Sequence, residues 1–270
     1  MSGRLVVCPT PIGNLEDITL RTLAALREAD VVACEDTRRT RVLLDRYGVS
    51  ASLISFHEHN ERQRTPELVA RMQDGAVVAL VSDAGMPLVS DPGFLLVRAC
   101  VAAGLAVEVL PGPTAVVAAL VASALPVDHW RFAGFLPRKR AELERELRAP
   151  ETVVAFESPR RVAATLGVLA AVDPERPVAV CRELTKIHEE VVRGSAAELA
   201  ERYAAQAPRG EVVLVIGGAG DSPGLEPAPA VDAVRRLVES GAKPRVAAAV
   251  VSELSGVPAN RLYKALTSDE

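Results

Sequence analysis

Two short segments in the second half of the chain mix acidic and basic side chains directly after valine-rich runs. They are residues 156–161, FESPRR, and residues 181–186, CRELTK. Carboxylates next to ammonium and guanidinium groups can transfer protons and bind anionic groups. Charged clusters at strand ends are often only solvated ion-pair networks, but the same mixture at two strand ends favours a functional site.

Four segments in the first half of the chain are placed to form a ligand-binding rim. Each follows an apolar run that is typical of a buried strand. In open α/β sheets, ligands bind outside the carboxyl ends of the strands. The four segments are therefore expected to line one shaped cleft; they are PTPIGN at 9–14, EDTRR at 35–39, SDAGMPLVSDPG at 82–93 and PGPTA at 111–115.

Three side chains in this rim are candidates for either capping or ligand binding. Asp83 is the strongest acidic candidate, because it ends an apolar strand and Gly85 allows close approach of the backbone. Asp91, directly before Pro92, is predicted to cap a turn or the next helix. Thr114 begins an apolar helix, where its hydroxyl could cap the helix or meet a ligand.

The elements that position these segments alternate between strand and helix patterns. This alternation in residues 1–125 indicates an α/β domain with a mostly parallel sheet covered by helices. The strands are predicted at 4–8, 31–35, 53–56, 77–82 and 106–110, and the helices near 18–29, 40–47, 64–73, 94–103 and 114–124.

A second α/β domain is predicted over residues 126–220. Two of its late strands follow one another without a helix, which indicates antiparallel pairing in the second sheet. Val162, Leu166 and Leu169 form one apolar stripe in a predicted helix. The series is an aromatic segment at 130–135, a charged helix at 140–148, strands at 152–157, 178–182, 188–193 and 211–217, and helices at 161–171 and 196–205.

A linker rich in proline and glycine is predicted at 221–230, followed by a C-terminal helical domain at 231–270. The pattern of this domain resembles a helix-turn-helix, with Gly256 in the turn and Pro258 near the start of the last helix. Because the charge of this region is nearly balanced, a small helical cap without a nucleic-acid role is an equally open interpretation. Its helices are predicted at 231–239, 244–254 and 258–266.

The composition excludes several classes of protein. The chain has 270 residues and a formal net charge of −4, which excludes a strongly basic nucleic-acid coat but not a local basic patch. The N-terminus lacks a signal-peptide pattern, and the apolar runs are too short to cross a bilayer. The four cysteines show no C-x-x-C spacing. We therefore expect a soluble cytoplasmic protein with buried free thiols and no membrane partner.

Neither a metal site nor a nucleotide-binding fingerprint is indicated. His57 and His59 could share a strand face, but a tetrahedral site needs more ligands and no further His or Cys cluster accompanies them. The dinucleotide fingerprint, the P-loop and the nucleophile elbow are also missing from the sequence. We expect no metal, and an NAD-dependent enzyme is disfavoured.

Taken together and in order, the motifs resemble the tetrapyrrole methylase superfamily, and within it the branch that methylates small-subunit ribosomal RNA. The motifs are PTPIGNLEDI, EDTR, SDAG with SDPG, PGP, GFLP, ES with Arg161, and RELTK, over about residues 4–217. PTPIGNL together with SDAG is similar to this branch rather than to the porphyrin and cobalamin enzymes.

The resemblance implies a fold, a cofactor and a reaction. It implies two α/β domains with a cofactor cleft between them, and S-adenosylmethionine as the cofactor. The implied reaction is 2'-O-methylation of a cytidine in the decoding region of 16S rRNA, with the small ribosomal subunit as partner. A homodimer is also implied.

The resemblance also suggests roles for individual residues. Glu183 and Lys186 are expected near the ribose 2'-hydroxyl, where Lys186 would act as the base if burial lowers its pKa and would otherwise stabilise charge. The expected cofactor contacts are Pro11, Asp83, Gly85, Met86, Thr114, Ala115, Phe156 and Val212. The expected phosphate contacts are Arg38, Arg39, Arg160, Arg161 and Arg182.

Three positions depart from the usual residues of that family. Met86 stands where threonine is usual, Phe156 where tyrosine is common and Arg160 where histidine is common. Each departure removes a polar or titratable group that a mechanism could otherwise use. Two other functions stay open, a tetrapyrrole C-methyltransferase of the same fold and a DNA-binding regulator that uses the C-terminal helices.

Overall fold

The structure is a computed structural model that describes residues 3–219, 227–255 and 257–267. Residues 3–219 contain two five-stranded sheets with helices packed against them. The first sheet lies within residues 1–125 and the second within residues 126–220. This arrangement confirms the predicted α/β class.

The first sheet is entirely parallel. Its strand order is β3-β2-β4-β1-β5, so the strand that precedes PTPIGN and the strand that precedes SDAG are neighbours. Parallel strands covered on both faces read as continuous apolar runs. The strands are β1 (Arg4–Val7), β2 (Val31–Cys34), β3 (Leu53–Ser55), β4 (Val77–Val81) and β5 (Ala106–Val109).

The helices of the first half follow their strands as expected for such a sheet. Two separate apolar clusters cover its faces, one around Phe56 and Leu68 and the other around Leu26 and Leu44. The helix predicted near 40–47 begins earlier, because Asp36 accepts a hydrogen bond from the backbone N–H of Arg38. The helices are α1 (Leu20–Glu28), α2 (Thr37–Arg46), α3 (Glu61–Gln73), α4 (Phe94–Ala102) and α5 (Ala115–Ser123).

The second sheet is mixed, in the order β6-β7-β10-β8-β9. β6 and β7 are parallel, and the other three pairs are antiparallel, which confirms the pairing expected of the late strands. The strands are β6 (Trp130–Phe135), β7 (Thr152–Glu157), β8 (Pro177–Arg182), β9 (Glu190–Ser195) and β10 (Val212–Ile216).

Three helices accompany this second sheet: α6 (Arg140–Glu146), α7 (Val162–Val172) and α8 (Ala196–Ala205). The predicted stripe is confirmed, since Val162, Leu166 and Leu169 are each fully buried in the core beneath α7 and α8. A capping box formed by Ser195 and Glu198 fixes the start of α8.

Helix α5 joins the two halves, because it belongs to the first by sequence and packs on the second sheet. Its side chains Val116 and Leu120 share an apolar cluster with Val154 of β7 and Val213 of β10. Ile12 of the PTPIGN loop lies in the same cluster. Burial of each such side chain contributes roughly 1.5–3 kcal/mol, so this helix fixes the strand ends of both sheets around one cleft.

The C-terminal region forms three helices, α9 (Pro227–Glu239), α10 (Pro244–Ser255) and α11 (Ala259–Thr267), around an apolar cluster of their own. The predicted linker extends too far toward the C-terminus, because α9 already begins at Pro227. Proline is tolerated in the first turn of a helix. The rest of the predicted linker, residues 221–226, and Gly256 of the predicted turn lie outside the described residues.

The structure also bears on the cysteines and on membrane-spanning helices. All four cysteines are free and buried, and burial raises the pKa of Cys8 to about 12. Across the described ranges, no helix combines the length and the apolar character needed to span a membrane.

Candidate functional site

The loops after β1 and β4 are joined by backbone hydrogen bonds. The N–H of Thr10 donates to the carbonyl of Gly85 over 2.9 Å, and the N–H of Gly85 donates back to the carbonyl of Thr10 over 2.9 Å. Gly85 has a φ of 80°, and a Cβ there would lie 3.3 Å from Ile12. Glycine at this position therefore allows the two loops to close over the sheet edge.

A cavity of about 320 Å³ lies between these loops and the second sheet, and we call it the apolar cleft. Its walls come from both halves of the molecule. Six of the eight predicted cofactor contacts line it: Gly85, Met86, Thr114, Ala115, Phe156 and Val212. These six residues, expected from separate segments of the sequence, therefore lie on one surface.

A second cavity of about 300 Å³ adjoins the apolar cleft, and we call it the polar cleft. The two clefts share Ile12, Ala84 and Glu211 in their walls. The two remaining predicted cofactor contacts, Pro11 and Asp83, line the polar cleft instead of the apolar one. Lys186 and Arg39 also line the polar cleft, so it brings cations from both halves together.

Lys186 is held between two carboxylates. Its Nζ lies 2.9 Å from Oε1 of Glu183 and 2.9 Å from Oε2 of Glu211. Burial alone would lower the pKa of Lys186, but the hydrogen bonds to Glu183 and Glu211 outweigh it and leave this pKa above its ordinary value. Lys186 is therefore a cation at neutral pH, which favours charge stabilisation over the role of a base.

Glu183 is fixed as an ionised acceptor. The backbone N–H of Glu211 and the Lys186 ammonium both donate to its carboxylate, and these bonds hold the pKa of Glu183 below its ordinary value. Its backbone has a φ of 50°, and Thr185 has a φ of 65°. Such left-handed conformations in non-glycine residues are costly and are found where a site constrains the chain.

Two glycines make room for this arrangement. A Cβ on Gly13 would lie 2.5 Å from Cγ of Lys186, and a Cβ on Gly210 would overlap the carboxyl group of Glu183. The N–H of Asn14 also donates to Oγ1 of Thr185 over 2.9 Å. Gly13 of the PTPIGN loop therefore leaves room for the aliphatic part of the Lys186 side chain.

The two acidic residues of SDAGMPLVSDPG have different surroundings. Asp83 accepts a hydrogen bond from the N–H of Asp36 over 3.0 Å and lies 3.5 Å from Arg39. Asp91 was predicted to cap a turn or the next helix, and the cap of that helix is supplied by another residue. Oε1 of Glu61 accepts hydrogen bonds from the N–H groups of Gly93 and Leu95 at the start of α4.

Asp91 instead lines the apolar cleft. Burial, reinforced by the negative charge of Glu35, raises the pKa of Asp91 to about 6. Thr114 lies at the N-cap of α5, but its side chain makes no cap hydrogen bond. Both side chains line the apolar cleft.

The five predicted phosphate contacts separate into two groups. Arg38 and Arg39 are exposed beside the polar cleft, where Arg38 pairs with Asp36, and Arg160 is exposed at the end of β7. The Arg161 guanidinium donates to the carbonyls of Leu136 and Pro137, so part of its hydrogen-bonding capacity is already used within the protein. Arg182 lies outside both clefts and pairs with Glu190 over 2.7 Å.

The sequence interpretation missed two residues of the site. Glu211 stands directly before the apolar strand β10 and reaches Lys186 from the neighbouring strand end. Glu157 was assigned only to a charge cluster, but it is buried and accepts hydrogen bonds from Thr165 and from the N–H of Ser158. Because β10 runs antiparallel between β7 and β8, its first residue lies beside the last residues of those two strands. The position of Glu211 directly before a predicted strand was the signal that could have identified it.

Known proteins with the same features identify the family. The profile of the tetrapyrrole (corrin/porphyrin) methylases matches residues 4–200. A Mesorhizobium japonicum protein named ribosomal RNA small subunit methyltransferase I is 47% identical over 97% of this chain and 90% of its own length. The chain belongs to this methyltransferase family. The resemblance seen in the motifs is thereby confirmed.

Two further comparisons show how far the likeness extends. A member of the ribosomal RNA small subunit methyltransferase I family from Thermotoga maritima is 43% identical over 80% of this chain and 99% of its own length. Uroporphyrin III C-methyl transferase from Thermus thermophilus, complexed with S-adenyl homocysteine, matches with a TM-score of 0.58 and 22% identity over 80% of this chain and 97% of that one. The second match shows the shared fold.

Within the residues that the structure describes, no group of three or more His, Cys, Asp and Glu side chains is arranged to hold a metal ion. His57 and His59 lie with their ring centroids 5.9 Å apart.

Proposed function

We propose that this chain transfers a methyl group from S-adenosylmethionine to the ribose 2'-hydroxyl of a cytidine in the decoding region of 16S rRNA. Its relatives that carry the name ribosomal RNA small subunit methyltransferase I support this substrate. The observation that carries the proposal is the Lys186 ammonium, held by two carboxylates in the cleft that adjoins the apolar one.

The apolar cleft is the proposed cofactor site. The bound cofactor supplies an electrophilic methyl group on a positively charged sulfonium. The apolar surfaces of Phe156 and Val213 suit a nucleoside, and the carboxylates of Asp91 and Glu211 suit positive charge. Gly85 keeps the cleft clear of a side chain where the loops after β1 and β4 meet.

The polar cleft is the proposed site for the target ribose. Lys186 would donate a hydrogen bond from Nζ to the 2'-oxygen and stabilise negative charge as it develops there. The proton of the 2'-hydroxyl would pass to solvent water as the oxygen gains the methyl group. Glu183 and Glu211 would keep Nζ in position and protonated, since both accept from it. Holding the acceptor oxygen in line with the methyl group is the larger part of the expected rate enhancement.

The RNA backbone is proposed to lie across the polar cleft. Arg39 lines this cleft, Arg38 is exposed beside it and Arg160 is exposed at the end of β7, and these three cations are proposed to meet phosphates. Arg161 is left out of this set because it binds backbone carbonyls. The charged side chains in the lining of this cleft, Arg39, Asp83, Lys186 and Glu211, favour a polynucleotide over a tetrapyrrole as methyl acceptor.

We also propose that two copies associate as a homodimer. β5 is an edge strand of the first sheet, and its Val109 is 58% exposed. Phe94 and Val101 of α4 are 62% and 65% exposed. Exposed apolar side chains of this kind are typical of an interface between subunits. Light scattering after gel filtration tests this association.

The reaction is tested with labelled S-adenosylmethionine and three acceptors: small ribosomal subunits that lack the modification, naked 16S rRNA and duplex DNA. We expect label on one cytidine ribose of the subunit. Label on naked rRNA alone would place the step earlier in assembly. Bound cofactor without label on any RNA would contradict the proposal and direct the search to small-molecule acceptors.

A further inference from the structure

A cavity outside both clefts lies at the same end of the second sheet. It has a volume of about 710 Å³, and we call it the outer basic cavity. Its lining includes Arg182, Glu190, Arg202, Tyr203, Gln206 and Arg209. Arg182 ends β8 and is the direct partner of Val212, which lines the apolar cleft. The segment between α8 and β10 borders both cavities, since Gln206 and Arg209 line the outer one and Gly210 and Glu211 line the cleft.

The outer basic cavity carries more positive than negative charge, although the whole chain has a net charge of −4. Arg182 and Arg202 share the single carboxylate of Glu190, at 2.7 and 3.0 Å. Arg209 is exposed and has no ion-pair partner within the described ranges. Two guanidinium groups on one carboxylate and a third without one leave unmatched donors that suit a phosphate.

Tyr203 gives a second, independent observation. Its side chain is buried in the wall of the cavity, and its hydroxyl has no hydrogen-bond partner. Buried polar groups without a partner are rare and costly in native proteins. The guanidinium of Arg202 lies over its ring at 5.8 Å from the centroid. The hydroxyl is closed off from the cavity in the structure, so a small shift of the Tyr203 ring would let an anionic oxygen bound beside Arg202 supply the missing partner.

We propose that the outer basic cavity binds a backbone phosphate of the RNA strand next to the target nucleotide. This inference rests on the proposed function, because it assigns a second contact to the same substrate. Arg202 and Arg209 are its main ligands, and Arg182 supports them from the strand end. The contact positions the RNA and carries no base specificity. It does not touch the cofactor.

The test uses Arg209→Ala and Arg202→Ala in the full chain, with Arg62→Ala on α3 as the matched control. Arg62 is exposed and lies in the first half of the chain, in a helix that contributes no residue to this cavity. We expect the KM for small ribosomal subunits to rise about tenfold in each variant, as for loss of a charged hydrogen bond. We expect kcat, cofactor affinity and the control to stay unchanged.

Salt dependence gives a second readout. Each lost phosphate contact should reduce the slope of log affinity against log salt by roughly 0.7 to 0.9. Tyr203→Phe should also raise the KM severalfold without lowering the melting temperature, since it removes an unpaired hydroxyl. An unchanged KM in Tyr203→Phe would contradict the proposed contact between this hydroxyl and the phosphate.

Three results would overturn the inference while leaving the proposed function intact. They are a wild-type KM in both arginine variants, an unchanged salt slope, and a change of oligomeric state in place of a change of KM. If the wild-type protein methylates no RNA at all, the proposed function fails instead.

Discussion

The apolar and polar clefts share part of one wall but hold their residues in place in different ways. The apolar cleft is lined by side chains such as Met86, Phe156 and Val213 and by the backbone of glycine-containing loops. The polar cleft depends on charges that fix one another, above all Glu183, Lys186 and Glu211. A cation-carrying cofactor and an RNA hydroxyl need these two different environments side by side.

This difference predicts which substitutions affect which step. Changes in the charged cluster should reduce the rate of methyl transfer and leave cofactor binding alone. Changes in the apolar cleft should alter cofactor binding first. A single substitution that disturbed both equally would show that the two clefts are one site.

Lys186→Ala should have the largest effect. Removing the cation beside the developing alkoxide is expected to reduce kcat for ribosomal subunits by about 100- to 1,000-fold, with little change in cofactor affinity. Steady-state transfer of labelled methyl and calorimetric cofactor titration measure the two quantities. Lys139→Ala is the control, because Lys139 is 82% exposed on another loop; an equal loss there would contradict the prediction.

Gly210→Ala should have the next largest effect. Its φ is 83°, and the added Cβ would displace the Glu183 carboxyl group from Lys186. We expect kcat to fall by about 10- to 100-fold. Gly104→Ala is the matched control, since Gly104 has a φ of 69° but nothing within 4 Å of the added atom.

Both glycine variants should lose about 1–2 kcal/mol of stability from the left-handed backbone. Only Gly210→Ala should lose activity. Parallel thermal melts and rate measurements separate the two effects, and similar losses of rate in both variants would rule out the proposed displacement of Glu183.

Asp91 should make cofactor binding depend on pH. Because its pKa is raised from 3.8 to about 6, the carboxyl group is protonated below that pH and can meet a cation only above it. Cofactor affinity should therefore rise about three- to tenfold between about pH 5 and pH 7. Asp91→Asn should remove this rise, whereas Asp128→Asn, at an exposed site, should not.

The same shift has a consequence for stability without cofactor. A carboxyl group whose pKa is raised by folding stabilises the folded state at low pH, and this contribution is lost as the pH rises through about 6. Asp91→Asn should therefore flatten the fall in melting temperature between about pH 4 and pH 6. A melting curve with the wild-type pH dependence would contradict the assignment.

Met86→Thr should have the smallest effect. It restores a hydroxyl in the apolar cleft at the position where the family usually has threonine, and one added hydrogen bond should tighten cofactor binding about two- to tenfold. The kcat should stay within a factor of two of wild type. Weaker binding would show that the methionine side chain itself packs on the cofactor.

Local sequence patterns predicted most of the fold, because buried strands and apolar helix stripes show their periodicity within a short stretch of neighbouring residues. Strand–loop–helix order also predicted the apolar cleft, since parallel strands bring their carboxyl ends to one edge. Of the two capping roles predicted for Asp91, the helix cap is supplied by Glu61, thirty residues earlier. No local pattern contains such a contact.

The polar cleft was harder to predict for the same reason. Glu211 meets Lys186 only because β10 lies between β7 and β8, an order that the sequence does not reveal. Arg161 was expected to contact phosphate, but its guanidinium donates hydrogen bonds to the carbonyls of Leu136 and Pro137, about 25 residues earlier in the chain. The roles of these charged residues therefore depend on contacts between residues that are distant in the sequence.

The most direct test of the central claim is the single-turnover rate of methyl transfer to ribosomal subunits by Lys186→Arg compared with Lys186→Ala. If Lys186 acts as a fixed cation, arginine should retain at least about ten times the rate of alanine, because it keeps the charge and cannot act as a base at neutral pH. Equal rates in the two variants would contradict this account and return Lys186 to the role of a base.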